Sequence, residues 1–137
     1  MKAVYFVGAG GIGMSAIARY FIHRGMVVAG YDKTPSKLTT QLEKEGMLIH
    51  YEENVGLIPV ACRNPKECLV IYTPAIPEEH KEMQFFRAGG FEIKKRAQVL
   101  GMLTQAHKGL CVAGTHGKTT TSTMCAHIMH QSSADCN

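Results

Sequence analysis

Five apolar residues, Ala3-Val4-Tyr5-Phe6-Val7, run directly into Gly8-Ala9-Gly10-Gly11-Ile12-Gly13. An unbroken apolar run of that length reads as a strand buried on both faces, which belongs in a parallel sheet covered by helices. The glycines fit G-x-G-x-x-G at the head of an amphipathic stretch, Ile12 to about Arg24, with Ile17, Tyr20 and Phe21 on one face and Gly25 as its stop. Glycines in that place allow a tight turn, close backbone approach to a diphosphate and close helix–strand packing. The open N–H groups of the helix start favour an anion. A second apolar run, Val27-Val28-Ala29-Gly30-Tyr31, ends at Asp32, near the spacing of about 20 residues at which an acid meets a ribose hydroxyl. Strand, glycines, helix and acid together predict a nucleotide or dinucleotide site; a tight βα turn without a ligand is the plainer alternative.

The alternation continues along the chain. Thr34-Pro35-Ser36 opens a helix that runs to Glu45 and closes at Gly46, and Met47-Leu48-Ile49 is a short third strand. Residues 52–66, with Gly56, Pro59, Asn64 and Pro65, are irregular, and Cys68-Leu69-Val70-Ile71-Tyr72 is a fourth strand cut by Thr73-Pro74. Pro77 opens a polar helix to about Ala88, Gly89-Gly90 turns into a fifth strand at Phe91-Glu92-Ile93, and residues 96–106 form a further helix. Leu110-Cys111-Val112-Ala113 predicts a sixth strand, followed by a helix from about Lys118 to His130. Strands alternating with helices predict βαβ units with right-handed crossovers, hence a doubly wound α/β domain around a parallel sheet of about five strands. The boundary falls at His107-Lys108-Gly109, giving a nucleotide-binding domain over 1–107 and, over 108–137, one strand, one loop and one helix that begin a second domain. Those elements cannot bury their own apolar face (Leu110, Val112, Met124, Ile128, Met129), so the expectation is a mobile segment, a non-native docking, or a cover for a neighbouring chain.

A second glycine cluster, Gly114-Thr115-His116-Gly117-Lys118-Thr119-Thr120, opens the last helix. The usual phosphate loop, G-x-x-x-x-G-K-[ST], fails at its first glycine, where this chain has Val112. Its working end survives: Lys118 to reach β- and γ-phosphates, Thr119 to hold Mg²⁺, and backbone N–H groups from Thr115 to Thr119 as an anion cradle. This predicts ATP binding by Gly114, Thr115, His116, Gly117, Lys118, Thr119 and Thr120, against the alternative of a capped helix with a Thr-rich first turn. A free-standing phosphate-loop ATPase does not fit, because no strand ending in a magnesium-binding acid follows.

Composition narrows the class. Lys plus Arg is 15 against 11 for Asp plus Glu in 137 residues, and only Lys94-Lys95-Arg96 clusters, so charge does not point to nucleic acid. A hydrophobic fraction of 45% excludes a disordered chain, and no run approaches a membrane span. The glycines interrupt the N-terminal apolar run too early for a secretory signal. Five cysteines without a C-x-x-C pair argue against a disulfide framework or zinc site and suit a reducing cytosol.

Gly8 to Ser15, Gly30-Tyr31-Asp32, Thr73-Pro74-Ala75-Ile76, Arg96-Ala97-Gln98-Val99-Leu100 and Ala113 to Thr121, in that order and spacing, resemble the Mur ligase family across nearly the whole chain. The G-G-I-G-M-S segment is most similar to the alanine-adding branch; the murein tripeptide branch shares G-T-H-G-K-T-T-T but differs in the first loop. The resemblance implies a Rossmann-like first domain that binds UDP-N-acetylmuramate and no nicotinamide. It places Gly8, Gly10, Gly11, Ile12, Gly13, Met14 and Ser15 against the diphosphate and Asp32 at the nucleoside. Thr73, Ala75 and Ile76 face the substrate, and Arg96 recurs in the family pattern. It implies ATP and Mg²⁺ at the second cluster, with Lys118 and Thr119 as the catalytic pair, L-alanine as co-substrate, and a bacterial cytoplasmic enzyme whose remaining magnesium ligands and amino-acid site lie beyond Asn137, so that this chain alone is inactive. Two positions depart from the pattern: Thr73-Pro74 stands where the family has two serines, and Glu52-Glu53, with His50 nearby, where it often has Gly-His.

Other conspicuous residues have plainer readings. His116 shapes its loop, His127 and His130 sit on a surface face, Met14, Met26 and Met47 fill core, Lys94 and Lys95 are solvated, and the cysteines are small buried hydrophobes. A nicotinamide-dependent oxidoreductase or nucleotide sensor would account for the first loop and Asp32, but not for Gly114 to Thr121.

Overall fold

The computed structural model describes residues 1–105 and 108–132. The chain divides into two compact units, Met1–Leu103 and Thr104–Asn137. The first holds β1 (Ala3–Val7), α1 (Ile12–His23), β2 (Val27–Tyr31), α2 (Lys37–Lys44), β3 (Leu48–His50), β4 (Cys68–Tyr72), α3 (Lys81–Ala88), β5 (Glu92–Lys95) and all but the last two residues of α4 (Arg96–Gln105). All five strands are parallel, in the order β3-β2-β1-β4-β5. Val7 stands opposite Tyr31 on one side and Tyr72 on the other, so the three central strands end level. The chain winds outward from β1 through β2 to β3, then returns to the other side of β1 for β4 and β5. That reversal is the switch point at which open α/β sheets leave a crevice for ligands.

The pleat of β1 sends Val4 and Phe6 to one face and Tyr5 and Val7 to the other, all 0% exposed. On the first face they pack with Leu69 and Ile71 of β4, Met14, Ile17, Ala18 and Phe21 of α1, Leu42 of α2 and Val99 of α4. On the second they meet Val70, Ile58, Cys62, and Met83 and Phe86 of α3. Burying each large side chain in this way contributes about 1.5–3 kcal/mol. α2 begins where Ser36 and Thr39 exchange hydrogen bonds, Thr39 N–H to Ser36 Oγ (3.2 Å) and Ser36 N–H to Thr39 Oγ1 (2.8 Å).

Several expectations shift. Residues 52–66 hold two 3₁₀ turns, Val55–Leu57 and Val60–Cys62. They are braced by Arg63, whose Nε donates to Ile58 O (2.9 Å) and whose Nη2 donates to Gly56 O (3.0 Å). α3 starts at Lys81 rather than Pro77, because the Lys81 N–H is capped from a distance by Glu53 Oε1 (2.7 Å). It is also less polar than its sequence suggests, since Glu82, Met83 and Phe86 are buried. The sixth strand is not formed: residues 110–113 pair with no strand among the described residues, and Leu110 is exposed. α5 (Lys118–Gln131) follows, with Met124 and Ile128 exposed. Cys62 and Cys68 are buried as expected, but Cys111 is exposed and Cys125 half-buried, since no core forms around them. Met14 and Met47 are core residues and Met26 packs against that core. Cys136 and the boundary residue His107 lie outside the described residues.

Candidate functional site

Loops after β1, β2 and β4 meet the start of α4, which follows β5 directly, at the C-terminal edge of the sheet. Gly8 adopts φ +88°, and the N–H groups of Gly8 and Ala9 both donate to Tyr31 O (2.8 and 3.0 Å). A Cβ at Gly8 would lie 2.5 Å from Thr73 Cγ2 and 3.4 Å from Ile76 Cδ1, so only glycine lets this turn pack against the loop after β4. That loop is itself a turn, with Ala75 N–H on Thr73 Oγ1 (3.2 Å) and Ile76 N–H on Thr73 O (3.2 Å). Ala75 is exposed beside it.

Asp32 organises the next part. Its Oδ2 accepts the Gly10 N–H at 2.6 Å and its Oδ1 the Thr34 N–H at 3.2 Å. Its own N–H donates to His50 O at 3.2 Å. The acid expected at the nucleoside is thus also the clamp on the glycine loop.

Gly11 caps α1 with no side-chain partner and no acid in the first turn. The N–H groups of Ile12 and Gly13 therefore face outward at the positive end of the helix. Over them lies Arg96, the first residue of α4: a Cβ at Gly13 would be 2.9 Å from Arg96 Nη1. Open amides plus a guanidinium at one helix start could hold a phosphate or diphosphate. Ile12 is 85% exposed at its mouth. Met14 and Ser15 take a supporting place: both side chains are buried, and Ser15 Oγ donates to Ile12 O at 2.8 Å.

One cluster went unread in the sequence. The Tyr5 hydroxyl is 2.6 Å from Glu82 Oε2 and 2.7 Å from His50 Nε2. His50 Nδ1 is 2.8 Å from Glu52 O, and Glu82 Oε1 accepts the Asn54 N–H at 3.2 Å. The Glu52-Glu53 segment therefore ties β3 to α3. Burial pushes the Glu82 carboxyl up, opposed by its Tyr5, His50 and His80 neighbours. Burial also raises Tyr5 and Tyr31, the latter with help from Glu53, Glu82 and Asp32. The available signal was an acid on the apolar face of a helix, Glu82 beside Met83 and four residues before Phe86.

In the second unit the Lys118 ammonium folds over its own loop, donating to Gly114 O (2.7 Å) and Thr115 O (3.4 Å). Gly117, at φ +75°, caps α5 without a side chain, leaving the amides of the first turn open. Thr119 and Thr120 are exposed, and His116 Nδ1 lies 3.3 Å from Thr115 Oγ1 on the loop itself. Among the described residues no group of three His, Cys, Asp or Glu could hold a metal, which leaves His127 and His130 without a metal-binding set. No helix among them is long and apolar enough to cross a membrane.

Residues 3–108 match the Mur ligase family, catalytic domain. Over all 137 residues the chain is 65% identical to a UDP-N-acetylmuramate–L-alanine ligase of Phocaeicola vulgatus and 64% to that of Parabacteroides distasonis, spanning 30% of the length of each. Among solved structures, the UDP-N-acetylmuramate–alanine ligase of Thermotoga maritima superposes with a TM-score of 0.80 at 32% identity, over 93% of this chain and 29% of that one. A murein peptide ligase of Psychrobacter arcticus gives 0.81 at 28% identity, over 95% and 26%. The family match runs from the first residue of β1 past the end of α4, and so takes in the glycine loop, Asp32 and Arg96: this chain belongs to the Mur ligase family.

Proposed function

We propose that the first unit binds UDP-N-acetylmuramate across the C-terminal edge of its sheet, as part of an ATP-dependent ligase that joins L-alanine to the muramate carboxylate. The carrying observation is the uncapped start of α1 with Arg96 lying over Gly13, a positive, amide-lined seat for a diphosphate. The choice of sugar and of alanine is supported by the high identity to alanine-adding ligases along the whole chain. In this reading Gly10, Gly11, Ile12 and Gly13 offer backbone to the diphosphate. Gly8 keeps the turn tight, Met14 and Ser15 hold the first turn from behind, and Asp32 fixes the loop beside the nucleoside. Thr73, Ala75 and Ile76 form the wall after β4.

The loop from Gly114 to Thr120 takes ATP. Lys118 exchanges its carbonyl partners for the β- and γ-phosphates, and the open amides of α5 receive the remaining charge. Thr119 is exposed at the start of α5 and would hold Mg²⁺ together with phosphate oxygens; when bound, the ion neutralises charge on the phosphates. The family chemistry that this serves is phosphorylation of the carboxylate followed by attack of the alanine amine on the acyl phosphate. The chain spans only 30% of the length of its relatives, and turnover belongs to the whole ligase rather than to these residues alone. The buried free thiols Cys62 and Cys68 suit a cytoplasmic setting.

Calorimetric titration tests the reading. UDP-N-acetylmuramate binds and releases heat, while NADH gives none. Tight NADH binding with no response to the UDP-sugar would overturn it in favour of a nicotinamide module.

A further inference from the structure

Three polar side chains, Tyr5 of β1 and Glu82 of α3 buried and His50 of β3 half-buried, meet on the face of the sheet opposite α1. Counting hydrogens fixes what they can hold. His50 Nδ1 faces the Glu52 carbonyl at 2.8 Å, and a carbonyl only accepts, so Nδ1 carries a hydrogen. Tyr5 has one hydrogen for two neighbours. If it is donated to Glu82, His50 Nε2 must donate to the Tyr5 oxygen or to Glu82 Oε1, 3.5 Å away, giving an imidazolium and a carboxylate. If it is donated to His50, Glu82 must be protonated and donate to the Tyr5 oxygen, leaving both ends neutral. Either arrangement contains one proton that belongs to the trio rather than to one residue. Without it, Nε2 and Glu82 Oε2 compete for the single Tyr5 hydrogen, and one of them loses that bond.

The trio is two bonds from the glycine loop. The His50 carbonyl accepts the Asp32 N–H (3.2 Å), and Asp32 Oδ2 accepts the Gly10 N–H (2.6 Å). We propose that Tyr5, His50 and Glu82 share one proton that positions Asp32 and the glycine loop, so that affinity for a nucleoside-diphosphate sugar falls when that proton is lost. The proposal rests on the UDP-sugar reading above. The three are positioning residues and touch no ligand atom.

The other titratable groups facing them are Tyr31 of β2, whose ring is 5.8 Å from that of His50, and Asp32 at its end. From the segment after β3 comes Glu53, bonded to the Lys81 N–H. At the start of α3 stands His80, both ring nitrogens buried without a partner and the ring 4.7 Å from Tyr31. Cys62 and Cys68 lie beside Tyr5. The burial of Glu82 favours retention of the proton.

Glu82→Gln supplies the test. Its amide donates to the Tyr5 oxygen, and Tyr5 donates to a neutral His50, with no shared proton required. UDP-N-acetylmuramate affinity is measured for wild type, E82Q and Y5F between about pH 6 and 9. Wild type loses roughly tenfold in affinity at the alkaline end, E82Q keeps its neutral-pH affinity throughout, and Y5F is roughly tenfold weaker at every pH. An E82Q profile that falls like wild type, or a flat wild-type profile, overturns the proposal. ¹⁵N spectra of the His50 ring, recorded without ligand, give a second reading. Nδ1 carries a hydrogen in wild type and E82Q alike, bonded to the Glu52 carbonyl; an Nδ1 without a hydrogen overturns the shared proton. If the wild type ignores the UDP-sugar at every pH, the binding reading fails, and the ring spectra still decide the proton arrangement.

Discussion

Replacing Gly13 with alanine should separate affinity from stability. The new Cβ would sit 2.9 Å from Arg96 Nη1 and 3.1 Å from its Cδ, atoms of a flexible side chain that can swing aside. Gly13 lies in the first turn of α1, where Gly→Ala stabilises by about 0.5 kcal/mol or more. The fold is therefore expected to gain slightly or stay level in urea denaturation. Affinity moves the other way, because Arg96 is displaced from the helix start. A charge-assisted hydrogen bond is worth about 1.5–3 kcal/mol. Arg96 is exposed, so the lower end applies, or roughly tenfold in Kd. Arg96→Ala is expected to cost the same tenfold. Since both substitutions remove one interaction, the double variant should also bind about tenfold weaker, not the roughly hundredfold of independent effects. Calorimetry with UDP-N-acetylmuramate on the four proteins closes the cycle. Unchanged affinity in Gly13→Ala, or full additivity in the double variant, would refute the role given to Arg96.

Gly8→Ala meets both a positive φ and the Thr73 methyl at 2.5 Å, and is expected to lose about 2–4 kcal/mol in urea denaturation, partly restored by Thr73→Ser. Phe86→Ala removes a ring packed between Tyr5 and Phe91 and should cost about 3–5 kcal/mol by the same assay. The Glu82 carboxyl is raised in the folded state, so its stabilising contribution is present below the ordinary glutamate range and declines as pH rises through the raised value. The slope of stability against pH should flatten in Glu82→Gln; an unchanged slope would show that Glu82 is not the group responsible. Hydrogen exchange should find the amides of α5, which has no buried residue, faster than those of β1; equal protection would contradict this.

The five parallel strands were legible because each apolar run is bounded by glycine or proline and the helices between them are amphipathic. The turn at Gly8 to Gly13 was legible as well, since a tight strand-to-helix turn packed against the loop after β4 demands glycine at Gly8. What escaped depends on contacts distant in sequence. The start of α3 is set by Glu53, which no local pattern at Pro77 reports. The sixth run, 110–113, has a strand's composition but pairs with no strand among the described residues, and composition alone cannot supply a partner. Tyr5 hides within an apolar run, and its meaning appears only when β1, β3 and α3 bring the hydroxyl to His50 and Glu82. Asp32 was expected at a nucleoside; what the structure shows is its carboxylate holding the Gly10 amide, a contact no local pattern reports.

Backbone amide spectra of this chain during titration with UDP-N-acetylmuramate locate the sugar-nucleotide site residue by residue. The largest shifts are expected on Gly10, Gly11, Ile12 and Gly13, with Arg96 and the Thr73–Ile76 turn following, and NADH leaves them in place. Shifts gathered away from the C-terminal edge of the sheet, or the same response to NADH as to the UDP-sugar, would contradict it.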